Sequence, residues 1–131
     1  MPVDTSLVGR SFPEVGPFEV TEGAVAAFAH ALGLDPGAAI PPTFPIVLAF
    51  EAMNAFLAAE EIELHRIVHG EQRFSYARPL ALGDRLRATL TVTGLRQLGG
   101  ADVITTTSTF VDDSGAEVCT GRATLVHGGA Q

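Results

Sequence analysis

Few side chains in this 131-residue chain combine a reactive type with a useful spacing. Glu51 and Asn54 stand three apart in the apolar stretch "PIVLAFEAMNAFLAA". On a helix that spacing puts a carboxylate and an amide on one face. A carboxylate there can serve as a base or nucleophile, and the amide can hold a polar group of a ligand. The plainer reading is that this face meets a dimer partner, with Glu51 bonded across the interface, because an unpaired buried carboxylate is costly. Asp35 precedes a proline in "LDPGAA", where Asp commonly does ordinary turn chemistry. Gln72 falls on the apolar face of a strand pattern beside Gly70. A buried amide needs partners, so Gln72 either ties down the loop before the apolar helix or lines a ligand channel. Gly70 permits close approach by a ligand or by backbone. His30, His65, His69 and His127 lack metal-ligand spacing, and no motif calls for a cofactor. Cys119 is the one cysteine. It excludes an internal disulfide and reads as a core thiol with nothing nearby to activate it.

The elements that must position these residues follow from periodicity. "PFEV" is a short strand. Thr21 is an N-cap for a helix over "EGAVAAFAHALG", and Gly33 stops it. "LDPGAAIPP" is broken by three prolines and a glycine. Thr43 then caps a second helix, with Pro45 in its first turn, running to about Glu61. This helix is apolar on nearly all faces, which predicts burial nearly all round. From Arg66 the period changes to two. Val68, Gly70, Gln72, Phe74 and Tyr76 share one face, while His69, Glu71, Arg73 and Ser75 share the solvent face. "LGD" at 82–84 is a turn, and Leu86, Ala88, Leu90 and Val92 point inward in the next strand. Turns at 99–100 and 112–115 separate two more strands, the first rich in β-branched residues. On the last strand Cys119, Gly121, Ala123 and Leu125 share a face.

Length predicts one domain over residues 1–131. The α+β order, a short strand, two helices and four long antiparallel strands, predicts a single hot-dog domain, one curved sheet wrapped around the long helix. Such a sheet leaves an open edge strand, which favours dimerisation. A net charge of −7 argues against nucleic-acid binding. The apolar run is too short and too polar for a membrane span, and the opening residues lack a signal-peptide pattern, so a cytoplasmic protein is expected. All basic residues are arginine, with no lysine. Arg66, Arg73, Arg78, Arg85 and Arg87 crowd one segment. They read as a solvated sheet face, or as a landing patch for a phosphate-bearing carrier.

Three stretches carry a family resemblance. "GEQRFSYARPLALGDRL" (70–86) resembles the sheet motif of MaoC-like dehydratases. "PPTFPIVL" (41–48) is similar to the loop and helix start of that family. "VGRSFPEVGPFEVTEGAVAAFAHALG" (8–33) resembles the opening of its N-terminal, FAS1-like dehydratase domain. The resemblance implies hydration of enoyl thioesters, or dehydration of (R)-3-hydroxyacyl thioesters, on CoA or acyl carrier protein. It also implies an acyl site at a dimer interface, and a substrate-binding set of Thr43, Phe44, Asn54, Gly70 and Gln72. Active members carry D-x-N-P-x-H between the first helix and the "PPTF" loop. Here only Asp35-Pro36 survives, without the asparagine and histidine. The chain thus resembles the non-catalytic, channel-forming subunit of heterodimeric dehydratases, with Asp35 as a residual catalytic candidate. A homodimer of low activity is the related expectation. Two alternatives stand beside it. One is a hot-dog thioesterase using Glu51, assisted by Thr43. The other is a non-enzymatic acyl-thioester binding module.

Overall fold

The structure is a computed structural model, and it describes residues 5–34 and 40–128. The elements run β1 (Val15–Glu19), α1 (Glu22–Ala31), α2 (Ile46–Ala59), β2 (Ile67–Tyr76), β3 (Arg85–Leu98), β4 (Ala101–Val111) and β5 (Glu117–His127). The strands form one antiparallel sheet in the order β1-β3-β4-β5-β2. Its inner face carries Leu86, Ala88, Leu90 and Val92 of β3, all buried as the alternation predicts. They pack with Ile104, Phe110, Val118 and Leu125 against Leu48, Ala52, Phe56 and Leu57 of α2.

Both helices end by the same device. α1 starts at Thr21, whose hydroxyl accepts the Ala24 N–H at 3.0 Å. It closes with Leu34 N–H on Ala29 O and Gly33 N–H on His30 O, Gly33 taking a φ of 75°. α2 closes identically, with Ile62 N–H on Leu57 O and Glu61 N–H on Ala58 O. The left-handed position is here occupied by Glu61 (φ 55°). The helix therefore stops at Ala59, short of the expected Glu61.

Two further expectations for α2 are corrected. Thr43 does not cap the helix with its side chain. Pro45 stands at the N-cap, and the first turn is drawn in by backbone bonds from Ile46 N–H to Thr43 O and from Val47 N–H to Phe44 O. Nor is α2 buried all round. A stripe of Val47 (39% exposed), Phe50 (44%), Glu51 and Asn54 faces away from the sheet. A single sheet covers one side of a helix, and among the described residues nothing covers the other.

The two sheet edges differ. Residues 9–12 continue beyond β1 along β3, through Gly9 N–H to Val92 O, Phe12 N–H to Leu90 O and Val92 N–H to Arg10 O. Gly16 allows the closest approach there, since a Cβ on it would lie 2.6 Å from Leu86 O. β2 is the other end of the sheet and has no strand beyond it among the described residues.

Candidate functional site

The region where α2 meets the open edge gathers most of the expected residues, but not in the expected orientation. β2 and β5 pair His69↔Leu125, then Glu71↔Thr124 and Gln72↔Ala123, so Gly70 is an extra residue in a β-bulge. The bulge shifts the alternation by one. His69 turns inward, opposite buried Leu125, while Val68 faces out at 65% exposure. This corrects the placement of His69 on the solvent face and of Val68 with Gln72. His69 Nε2 and Gln72 Oε1 now lie 2.9 Å apart, and the Phe50 ring meets the imidazole edge-to-face at 5.7 Å. A local alternation pattern contains no signal for a bulge beyond the glycine itself.

Gln72 does not secure the loop before α2. Tyr76 does, through its hydroxyl donating to Pro42 O at 2.5 Å. Burial raises its phenol to about 12, so it stays a donor throughout the physiological range. Beside this bond lies an open groove of about 480 Å³, between Ile40, Pro41 and Pro42 on one side and residues 76–80 on the other. Arg78 braces its wall. It bonds Asp84 through two nitrogens (2.9 and 3.1 Å), Asp112 at 3.1 Å and the Pro79 carbonyl at 3.0 Å. The same clamp explains the "RPLALGD" stretch: Arg78 and Asp84 join the end of β2 to the turn before β3. The Arg78 bond holds Asp84 below the usual carboxylate range. Ser114, and then Arg78, bring Asp112 to about 2.

The crowded arginines form no free cationic patch. Arg66 pairs with Glu63 and Arg73 with Glu71. Arg85 and Arg87 share Asp113, and Arg87 also reaches Glu14.

The remaining candidates divide plainly. Glu51 and Asn54 share the exposed face of α2, as their spacing predicts. Thr43 is exposed. Phe44 is buried in the core between Phe18 and Phe28. Asp35 lies outside the described residues. Cys119 is buried, and burial pushes its thiol up to about 12. His30 and His65 are exposed. His127 was not distinguished from the other histidines by sequence, yet it is buried with its Nδ1 3.4 Å from Asp102 Oδ2. The two are cross-strand partners on β4 and β5, a pairing visible only once the register is known.

A five-stranded antiparallel sheet over one long helix, with α1 in the connection before it, defines a hot-dog fold. The chain belongs to the family described as "FAS1-like, dehydratase domain region", which matches residues 6–121. It is 43% identical to a UPF0336 protein of Clavibacter michiganensis subsp. michiganensis over 96% of both chains. It is 35% identical to a UPF0336 protein of Streptomyces avermitilis, covering 100% of this chain and 99% of the relative. Among solved structures it resembles the truncated HadBC (3R)-hydroxyacyl-ACP dehydratase complex of Mycobacterium tuberculosis. That TM-score is 0.81 at 23% identity, covering 95% of this chain and 99% of the other. The (R)-hydratase of A. caviae shares the fold at a TM-score of 0.62 and 23% identity, covering 93% and 98%.

Proposed function

We propose that this chain binds acyl thioesters of CoA or acyl carrier protein in the cytoplasm, as the channel-forming subunit of a pair. The second member is a hot-dog chain with an intact D-x-N-P-x-H motif, and the pair interconverts enoyl and (R)-3-hydroxyacyl thioesters. The observation that carries this reading is the open side of α2 beside the open edge of β2. There Val47, Phe50, Glu51 and Asn54 stand uncovered, and Phe50 meets the inward-turned His69, which bonds Gln72. A second hot-dog chain laid against that edge would continue the sheet, cover the stripe and enclose a site between the two central helices. Support comes also from the fold it shares with HadBC, a (3R)-hydroxyacyl-ACP dehydratase complex, and with a Staphylococcus aureus protein solved in complex with CoA.

The chemistry needs one group to remove a proton at C2 and to present water at C3. After Asp35-Pro36 the chain has no motif histidine, so the partner supplies that work. The test is purification of the chain alone, with crotonyl-CoA hydration and release of free thiol followed together. Slow hydration and no thiol release are expected, because general acid–base help is worth roughly 10²–10⁴-fold. Fast hydration abolished by Asp35→Ala would contradict the proposal. Fast thiol release abolished by Glu51→Gln would establish the thioesterase alternative instead.

A further inference from the structure

Most arginines of the chain meet a carboxylate: Arg10, Arg66, Arg73, Arg78, Arg85 and Arg87 all do. Arg96 and Arg122 differ. Both are exposed, and among the described residues they make no ion pair and no side-chain hydrogen bond. The register puts them on one surface. The strands pair Arg96↔Val103 and Val103↔Val126, and Arg122, further along β5, pairs with Thr107. Ile104 and Leu125, next in sequence to Val103 and Val126, are buried on the inner face. The two arginines therefore project from the outer face, across the sheet from α2. Between them lie Val103, Thr105, Thr107, Thr124 and Val126, all half-buried. These β-branched side chains make a low, methyl-lined surface. The acids of the long strands lie elsewhere. Asp102 is buried, Glu71 is taken by Arg73, and Glu117 stands at the start of β5. A chain of net charge −7 thus presents one face whose uncompensated charge is positive.

That charge decides the occupant. A second copy laid back to back would set arginine against arginine. Two isolated guanidiniums fall short of the basic clusters that hold membranes or nucleic acid. An acidic protein segment is the complement, and the spacing gives its form. Two strand separations across and four residues along place the two Cα atoms about 16 Å apart. A helix advances that distance in about eleven residues, which returns a side chain to the same face. We propose that the outer face of β3, β4 and β5 docks a helix of a partner protein. That helix carries a carboxylate at each end of an apolar face about three turns long. Pairing at the β2 edge leaves this face open, so the contact is independent of the acyl-thioester reading.

The test titrates the full chain into fluorescein-labelled, side-chain-stapled helical peptides and follows anisotropy. One peptide carries two glutamates about eleven residues apart on a face of alanine and leucine. A second carries lysines at those places, and a third has its glutamates about four residues apart. Net charge −7 draws the lysine peptide by bulk attraction, so a preference for glutamate reports this face alone. The wide-spaced glutamate peptide should bind tightest of the three. Its affinity should fall about tenfold in Arg96→Gln/Arg122→Gln, the combined worth of two exposed ion pairs, with Tm unchanged. Failure of that peptide to bind, equal affinity for the close-spaced one, tighter binding of the lysine peptide, or an affinity that survives in the double variant overturns the proposal. So does arginine-dependent binding to phosphatidylserine vesicles in place of the peptide, which would make a membrane the occupant.

Discussion

At Gly70 the backbone of β2 gains one residue on β5, and His69 and Gln72 come to share the inner face. His69 and Gln72 are three apart, a spacing that would separate them across a regular strand. The bulge brings them within a hydrogen bond. Opposite them, Gly121 leaves the space in which Gln72 and Phe74 sit. Gly121→Ala should push both side chains and cost about 1–3 kcal/mol of stability by overpacking, read from the midpoint of urea unfolding. An unchanged midpoint would show that the neighbours yield freely. Glu51 is a different case. It is exposed and makes no ion pair or side-chain hydrogen bond with a described residue, so burial gives it no cost to offset in the isolated chain. Glu51→Gln should therefore shift the stability of the chain alone by no more than about 0.5 kcal/mol. If the partner chain buries Glu51 in a hydrogen bond, the same change should weaken the pair by about 2 kcal/mol or more, measured by sedimentation.

Helix ends and strand faces show which elements a sequence can reveal. The Thr21 cap and the Gly33 stop are local chemistry, and both stand where their residue types predict. The alternation of β3 and the turn at 112–115 are equally local. Asp112 Oδ1 accepts from the Ser114 and Ala116 N–H groups, as turn aspartates do. The end of α2 was not legible, because a glutamate occupies a position that glycine usually fills. The bulge in β2 and the pairing of His127 with Asp102 were hidden for another reason, since both depend on register against a distant strand. One-sided burial of α2 was hidden too. Apolar content on all faces states that the helix will be covered, but not whether its own chain or another covers it. Relief of the left-handed residue gives a direct check. Glu61→Gly should stabilise the chain by about 0.5–1 kcal/mol, because an L-residue pays roughly 1–2 kcal/mol in the left-handed region and glycine's larger loss of freedom on folding offsets part of the relief. Thermal unfolding would read it, and a lower Tm would contradict the assignment of strain to Glu61.

For the whole molecule, the Arg78 clamp and the open edge do separate things. The clamp ties the end of β2 to the turns before β3 and after β4 through Asp84 and Asp112. Both carboxylates are held below their ordinary range, Asp112 at about 2. Near pH 3 the unfolded chain therefore binds more protons at these sites than the folded one. Their contribution is complete above about pH 4 and is lost as pH falls toward 2. Stability against urea should decline through that window, and less steeply in Asp112→Asn.

The open edge bears on function. If the uncovered stripe of α2 and the inward face of β2 are half of a shared acyl-thioester site, catalysis must depend on how much of this chain is present. The direct measurement is the crotonyl-CoA hydration rate of a fixed amount of a hot-dog chain with an intact D-x-N-P-x-H motif, while this chain is titrated in. The rate should rise from near zero and saturate at one chain to one. A rate indifferent to this chain, or one that grows in proportion to this chain with no partner present, would contradict it.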